Sequence, residues 1–340
     1  MLRLPRFDLR QPTSLAEALE LLRSLGPQAA VMAGGTDLLP NLKHELANPD
    51  VVIALSGIAE LRGIRADADG DVVIGAITTI AEVAENETVR GRFPALAQAA
   101  SLIAGPQLRR MGTIGGNVLL DTRCQWYNQT YFWRSSIGFC LKKDGTVCHV
   151  VAGGSNCVAA ASNDTVPALM TLGAELEVAG PAGRRRIPIN EFWTADGRRN
   201  HTLRAGELLT AVRIPPTRAG HRGAYGKLRD RGAIDYPLLG IAVRLDVDPA
   251  GIVSGADVVV TALAAAPRRV KAAAELLAGV PVPSAAFTDR AARVGDAAHQ
   301  QCHPLENIPG DAGYRREMVR VYVRRTLEAA ATGSGPVHRV

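Results

Sequence analysis

The sequence predicts an α+β protein, with an α/β first part and a C-terminal module of antiparallel strands and helices. Three observations carry this prediction. In the first part, apolar runs of strand length alternate with apolar residues at helical spacing. Residues 117–164 then show few regular patterns, and the last third gives alternating strands followed by helices. Pro215-Pro216 marks the predicted domain boundary.

The first part begins with a helix whose start can be read locally. Ser14 is the predicted N-cap, because Glu17 follows three residues later and leucines recur at helical spacing up to residue 25. The pair Thr78-Thr79 is likewise predicted to cap a helix that begins near Ile80. The other elements expected here are strands at 29–33, 51–55 and 72–77 and a helix at about 94–104.

The later elements follow from alternation and then from helical periodicity. Strands are expected at 174–178, 208–214, 225–228, 240–247 and 252–264. Helices are expected at 272–277, 285–295 and 314–330, and a flexible tail at 333–340.

Composition excludes several classes of protein. With 47% hydrophobic and 21% charged residues, the 340-residue chain is not disordered, and no apolar run is long enough to span a bilayer. The first eight residues carry charges where a signal peptide would be apolar, so we expect a cytoplasmic protein. The net charge of +6 is dispersed and only 4% of residues are aromatic, which disfavours nucleic-acid binding.

Two glycine-rich loops are candidates for binding a phosphate. The first, Ala33-Gly34-Gly35-Thr36-Asp37, follows a predicted strand; the second is Gly112-Thr113-Ile114-Gly115-Gly116-Asn117. Glycines let backbone amides approach a phosphate, and threonine adds a hydroxyl donor. Each loop alone is also compatible with an ordinary turn. Together they favour a dinucleotide ligand held between two sets of amides.

Four of the five cysteines fall in the irregular segment: Cys124, Cys140, Cys148 and Cys157. Their spacing is unlike the paired knuckles of structural zinc sites and unlike the tight ferredoxin run. Thiolates spread over one aromatic-rich loop can still surround an iron–sulfur cluster and shield it from water. Four unrelated buried cysteines are the alternative. His149 is a further possible ligand or hydrogen-bond donor, although a surface histidine is the simpler interpretation.

Cys302 lies outside this segment, beside His303. Adjacent residues rarely face each other as a nucleophile and its base, so we predict a structural role for Cys302.

The ordered set of motifs resembles the FAD-binding medium subunit of the xanthine dehydrogenase family over essentially the whole chain. Besides the two glycine loops, the matching segments are Gly75-Ala76-Ile77-Thr78-Thr79, Ile103-Ala104-Gly105-Pro106-Gln107, Asp164-Thr165-Val166-Pro167-Ala168-Leu169, the stretch 209–215, Lys227, His303-Pro304 and Tyr314-Arg315-Arg316.

An insertion of about forty residues departs from most members of that family. It carries the four clustered cysteines and is similar to the insertion in 4-hydroxybenzoyl-CoA reductases, whose medium subunit holds an extra [4Fe-4S] cluster. The segments Trp126-Tyr127-Asn128-Gln129 and Phe139-Cys140-Leu141-Lys142 share this similarity. The resemblance therefore implies that the four cysteines ligate a [4Fe-4S] cluster.

The resemblance also implies a PCMH-type FAD-binding fold with two α/β subdomains, followed by a domain like the C-terminal domain of CO dehydrogenase flavoproteins. The implied domains are 1–57, 58–216 with the insertion at about 120–160, and 217–332. Residues of the glycine loops would contact FAD, and four further residues would line the rest of the site, with no catalytic residue on this chain. The implied FAD-binding residues are Val31, Met32, Ala33, Gly34, Gly35, Thr36, Asp37, Leu38, Ile103, Thr113, Ile114, Gly115, Gly116, Asn117, Asp164, Leu209 and Lys227.

As a member of this family, the chain would be an electron-transfer subunit of an oxidoreductase involved in aromatic compound degradation. Its implied partners are a large molybdopterin-binding subunit and a small subunit with two [2Fe-2S] clusters, assembled as a dimer of heterotrimers. Ferredoxin is the expected electron donor, and no nicotinamide site can be identified. Two alternatives stay open: a molybdenum hydroxylase acting on another aromatic, steroid or N-heterocyclic substrate, and a zinc-stabilised scaffold with a vestigial flavin site.

Overall fold

The first unit of the chain is a three-stranded parallel sheet in the order β1-β3-β2, seen in a computed structural model that describes residues 2–338. Its strands are β1 (Asp8–Arg10), β2 (Ala29–Met32) and β3 (Val51–Ala54), and its helices are α1 (Leu15–Leu25) and α2 (Leu38–Lys43). The Ser14 hydroxyl accepts a hydrogen bond from the Glu17 N–H at 3.2 Å, as the sequence predicts. The first glycine loop directly follows strand β2.

The second unit is an antiparallel five-stranded sheet in the order β4-β5-β8-β6-β7, covered by short helices. Its strands are β4 (Ile64–Ala66), β5 (Val72–Gly75), β6 (Glu175–Gly180), β7 (Gly183–Pro188) and β8 (Leu208–Ile214). The helices between β5 and β6 are α3 (Ile80–Glu85), α4 (Glu87–Arg92), α5 (Pro94–Ser101), α6 (Pro106–Met111), α7 (Ile114–Val118), α8 (Tyr131–Ser136) and α9 (Thr165–Thr171). Thr79 and Glu82 form a reciprocal capping box at the start of α3, confirming that boundary.

The third unit is a sheet in the order β12-β11-β10-β9-β13, with one long helix packed against it and a second long helix packed on the first. Its elements are β9 (His221–Leu228), β10 (Leu239–Val247), β11 (Val253–Thr261), β12 (Arg268–Arg269), α10 (Ala273–Leu277), α11 (Ala285–Gln301), α12 (Ala312–Thr332) and β13 (Val337–His338). Pro215 and Pro216 lie between β8 and β9, where the chain passes from the second sheet to the third.

The second and third units share one apolar core. Phe93 and Leu169 from the second unit belong to the same buried cluster as Tyr225, Ala242 and Val259 from the third. Helix α5 packs against β9, and α9 packs against β10 and β11. This shared core fixes the position of β9, and of the loop that follows it, relative to the second glycine loop.

Two features differ from the sequence-based expectations. The helix predicted at 94–104 ends at Ser101, because Ala104 has a φ of 44° and Pro106 begins a new helix. Within the tail that is predicted to be flexible, Val337 and His338 pair in parallel with Gly226 and Lys227 of β9, and residues 339–340 lie outside the described residues. Within residues 2–338, no helix is long and apolar enough to cross a membrane.

Candidate functional site

A cleft of about 430 Å³ lies where the three units meet. Most of the residues that the family resemblance selects line this cleft. They are Val31, Met32, Ala33, Gly34, Gly35, Thr36, Asp37, Leu38, Ile103, Thr113, Gly115, Gly116, Asn117, Asp164 and Leu209. Ile114 and Lys227 are not on the wall: Ile114 is buried in the core of the second unit, and Lys227 is fully buried behind Asp164.

The two glycine loops touch each other at the base of this cleft. Gly34 lies so close to the end of α6 that an added Cβ would overlap the carbonyl group of Met111. Gly35 has a φ of 72°, a left-handed conformation that glycine adopts without strain. Neither Gly34 nor Gly116 has a positive φ. Glycine is required at position 34 because the Met111 backbone lies too close to leave room for a Cβ, and not because of the backbone conformation.

The second glycine loop is fixed to the sheet below it. The Gly115 N–H donates to the Ala76 carbonyl oxygen at 2.8 Å, and the Gly116 N–H donates to Thr113 Oγ1 at 3.1 Å. Asn117 Oδ1 accepts hydrogen bonds from both the N–H and the hydroxyl of Thr165, at 3.1 and 2.6 Å. These contacts hold the backbone of the loop in place against β5 and α9.

A buried ion pair closes one side of the cleft. Lys227 Nζ donates to Asp164 Oδ2 at 3.0 Å and to the Leu102 carbonyl at 3.1 Å. The Tyr225 hydroxyl donates to Asp164 Oδ1 at 2.9 Å. Burial raises the pKa of Asp164, and the charge of Lys227 counters this rise. The Asp164 carboxylate therefore lies at the cleft wall, and the Lys227 ammonium group that pairs with it lies behind the wall.

The loop between β9 and β10 also reaches the cleft, which the sequence did not predict. Ile234, Asp235 and Tyr236 line the cleft, and Ile234 and Tyr236 are exposed apolar side chains. The Arg123 guanidinium lies 4.0 Å from the centre of the Tyr236 ring and donates to Asp37 Oδ1 at 3.3 Å. The available sequence signal was the presence of two large side chains, Ile234 and Tyr236, in the loop that joins two strands of a hairpin.

The cysteine-bearing segment, at about 120–160, leaves the second unit at a pair of backbone hydrogen bonds. Arg123 and Ala160 exchange N–H···O bonds of 2.8 and 2.7 Å. Three of the four cysteines, Cys124, Cys140 and Cys157, are buried in one cluster that also contains Tyr127 and Trp126. The segment therefore brings together three cysteines that are far apart in sequence.

The surroundings of these sulfurs are apolar. The N–H groups of Tyr127 and Asn128 donate to the Cys124 carbonyl oxygen at 3.0 and 2.9 Å. Burial raises the pKa of Cys124 to about 11. Three of the four predicted ligands are therefore buried in apolar surroundings.

Cys148 and His149 are not among the buried residues of this cluster, although His149 contacts its edge. Cys148 is half-buried and is not among the residues of the buried cluster. Across the described residues, 2 to 338, no group of three or more His, Cys, Asp or Glu side chains has an arrangement that could hold a metal ion. His149 stacks on Trp126, with ring centres 5.2 Å apart, and its Nε2 lies 2.6 Å from the Phe139 carbonyl oxygen.

The ends of the segment are held by two distant parts of the chain. The Gln125 N–H and side chain donate to the carbonyls of Asn307 and Glu306, at 2.7 and 2.8 Å. Asn307, fully buried, donates from Nδ2 to the Val158 carbonyl at 2.6 Å. On the other side, the Cys157 N–H donates to Asp196 Oδ1 at 3.0 Å. The positions of Cys124 and Cys157 thus depend on residues of both later units.

Cys302 is fully buried in the core of the third unit, at the end of α11, while its neighbour His303 is exposed. This placement agrees with the predicted structural role.

Comparisons with known proteins place the chain in a family. Residues 5–217 match the FAD binding domain in molybdopterin dehydrogenase, and residues 223–330 match the CO dehydrogenase flavoprotein C-terminal domain. The carbon monoxide dehydrogenase medium chain of Hydrogenophaga pseudoflava is 33% identical over 327 residues, covering 96% of this chain and 97% of that protein. The xanthine dehydrogenase FAD-binding subunit of Escherichia coli O157:H7 is 33% identical over 236 residues, 69% of this chain and 67% of that protein.

Solved structures agree with the sequence comparisons. A chain of the cyanide-inactivated Cu,Mo-CO dehydrogenase superposes with a TM-score of 0.77 and 31% identity, covering 97% of this chain and 99% of that one. The predicted fold class is confirmed by this superposition and by the two domain matches. The chain belongs to the FAD-binding medium subunits of the molybdenum hydroxylase family that includes carbon monoxide dehydrogenase and xanthine dehydrogenase.

Proposed function

We propose that this FAD-binding subunit also carries a [4Fe-4S] cluster and serves a 4-hydroxybenzoyl-CoA reductase. The observation that carries the proposal is the burial of Cys124, Cys140 and Cys157 in one cluster beside the cleft. We assign Cys148 as the fourth ligand, which requires the half-buried segment around it to move inward. When bound, the two cofactors supply electron storage and transfer.

The chain's own residues would hold FAD in the cleft. The backbone amides of the two glycine loops would bind the pyrophosphate, and Asp164 and Leu209 would line the rest of the site. Lys227 would act through Asp164, because it does not reach the wall. The Ile234–Tyr236 loop would limit the access of water to the open side.

The cleft and the cysteine cluster are neighbours, which suits electron transfer between their cofactors. Asp37 lines the cleft and accepts a hydrogen bond from Arg123, which directly precedes Cys124. Reductive removal of the ring hydroxyl consumes two electrons and two protons, replaces a C–O bond by a C–H bond and releases water. Because the activated aromatic ring is difficult to reduce, we propose ferredoxin as the strong donor that enters through this segment.

The proposed assembly contains a large molybdopterin-binding subunit and a small subunit with two [2Fe-2S] clusters, as a dimer of heterotrimers. The relatives support the multi-subunit part of this proposal, since they are named as medium chains or FAD-binding subunits. The substrate pocket would lie on the large subunit.

The composition of the purified complex tests the proposal. We expect about eight iron atoms per FAD, about four of them from this chain. Cys148→Ser should lower the iron content to about four and abolish turnover with reduced ferredoxin, while FAD stays bound. Cys302→Ala, which removes a cysteine outside the segment, is the matched control and should keep all the iron. Full iron content in Cys148→Ser would refute the ligand assignment, and a colourless zinc protein would support the scaffold alternative.

A second candidate is a molybdenum dehydrogenase or hydroxylase in which electrons flow outward from substrate. The names of the relatives support it, because they include carbon monoxide, xanthine and nicotinate dehydrogenases. Turnover assays with 4-hydroxybenzoyl-CoA and reduced ferredoxin separate the two candidates. Substrate oxidation with an artificial acceptor, without any reductive activity, would favour the second.

A further inference from the structure

The wall of the cleft contains three carboxylates: Asp37, Asp164 and Asp235. Among the described residues 2–338, no lysine, arginine or histidine lines the cleft. Lys227 pairs with Asp164 from behind the wall, and Arg231 pairs with Asp235 inside the loop between β9 and β10. An unpaired carboxylate repels a nearby phosphate, so a cleft that takes an anionic dinucleotide needs a cation for each of these groups.

Asp37 receives its cation from the cysteine-bearing segment. Arg123 donates to Asp37 Oδ1 at 3.3 Å, and Asn41 donates to Asp37 Oδ2 at 2.9 Å. The side chains of Arg123 and Asp37 are 22% and 30% exposed, so water screens this pair less than it screens a surface pair. The two residues are 86 positions apart in the chain. The segment thus supplies a counter-charge to the first glycine loop.

The same guanidinium also holds the opposite side of the cleft. It lies 4.0 Å from the centre of the Tyr236 ring, in the loop between β9 and β10. In that loop the Ile234 N–H donates to the Ala104 carbonyl oxygen at 3.1 Å, and the φ angles of Ile234 and Ala104 are 60° and 44°. A β-branched residue is strained in the left-handed conformation, so the loop needs further contacts to keep this position. The contact of Arg123 with Tyr236 is one of them.

We propose that Arg123 is a positioning residue of the flavin cleft, which neutralises Asp37 and holds the loop of Tyr236 beside the first glycine loop. The inference rests on the part of the proposed function that places FAD in the cleft, and it needs no iron–sulfur cluster. Arg123 is fixed at its backbone by the two hydrogen bonds with Ala160. The cleft would therefore depend on the cysteine-bearing segment for both its charge balance and the position of one wall.

The first experiment tests the neutralisation of Asp37 by fluorescence titration of the deflavinated complex with FAD. Arg123→Met leaves the Asp37 carboxylate unpaired, and we expect Kd to rise about 5- to 30-fold. Adding Asp37→Asn to Arg123→Met removes the repulsion and should restore a large part of the affinity. Arg123→Lys keeps the charge and should lose less than Arg123→Met. The matched control is Arg23→Met, which breaks an exposed ion pair on α1 and should leave Kd unchanged.

The second experiment tests the contact with Tyr236 by the rate at which FAD dissociates. Tyr236→Leu removes the ring and should speed dissociation. If Arg123 acts through the ring, Arg123→Met should add less in the Tyr236→Leu background than in the wild-type background. Independent, multiplicative effects on the rate would overturn the role in holding the loop.

The outcomes of the titration separate the role of Arg123 from the placement of FAD. An equal loss of affinity in Arg123→Met with and without Asp37→Asn would overturn the neutralisation. If Arg123→Met does not assemble, Arg123→Gln with and without Asp37→Asn makes the same comparison. Wild-type affinity in Arg123→Met, with weakened binding in the glycine-loop variant Gly115→Ala, would overturn the role of Arg123 alone. Wild-type affinity in both would refute the placement of FAD in the cleft.

Discussion

Gly115→Ala tests whether the packing of the second glycine loop controls flavin binding. A Cβ added at Gly115 would lie 2.7 Å from the Ala76 carbonyl oxygen and 2.9 Å from Ala76 Cβ. Ordinary contact begins at 3.4 Å, so the start of α7 must move about 0.7 Å away from the end of β5. Both groups belong to backbone or to a short side chain and cannot rotate aside. Overpacking of this kind costs about 1–3 kcal/mol.

The displaced helix carries Thr113 and Asn117 on the cleft wall, so we expect weaker FAD binding. If the strain is felt entirely in the flavin-bound state, about 1–3 kcal/mol corresponds to an increase in Kd of about 5- to 150-fold. Kd is measured by fluorescence titration of the deflavinated complex, and stability by thermal unfolding. The control is Gly91→Ala in α4, where an added Cβ meets nothing within 4 Å and alanine favours the helix. Wild-type FAD affinity in Gly115→Ala would refute the assignment of this loop.

Two further predictions concern charged pairs. Lys227→Met leaves the Asp164 carboxylate buried without its cation, so we expect the free energy of unfolding to fall by about 3–5 kcal/mol in urea denaturation. The control Lys143→Met, at a partly exposed position, should change it by less than about 0.5 kcal/mol. Glu207 accepts two 2.8 Å hydrogen bonds from Arg185, which lower its pKa. Because the folded pKa lies below the unfolded one, this stabilisation is present above about pH 4.3 and is lost as the pH falls. Glu207→Gln should thus be less stable by about 1.5–3 kcal/mol at pH 7, with a difference that shrinks towards pH 3; a difference independent of pH would contradict this.

Local signals predicted those parts of the fold that depend on neighbours in sequence. The Ser14 and Thr79 caps and strand β8 lie where the sequence places them, because capping and alternation are short-range effects. Strand β13 was missed, because two residues of a polar tail pair with β9 only once the third sheet exists. The local strand propensity of these two residues gives no information about whether they will pair with the edge of a sheet that distant parts of the chain form.

The same distinction applies to the candidate site. The glycine loops were visible as motifs, whereas Ile234 and Tyr236 reach the cleft only because the shared core fixes β9 beside the second unit. Cysteine spacing could not indicate that Cys148 would be half-buried while the other three are buried, since this depends on how the segment folds back on itself.

The contacts of Asn307 with the ends of the cysteine-bearing segment also bear on how the chain is made. Gln125 and Glu306, which hydrogen-bond, are 181 residues apart. At about 5–20 residues per second, a ribosome takes roughly 10–40 s to add the second after the first. During that interval the hydrogen bonds that Glu306 and Asn307 make with Gln125 and Val158 cannot form. The segment therefore completes its hydrogen bonding only after most of the third unit has been synthesised.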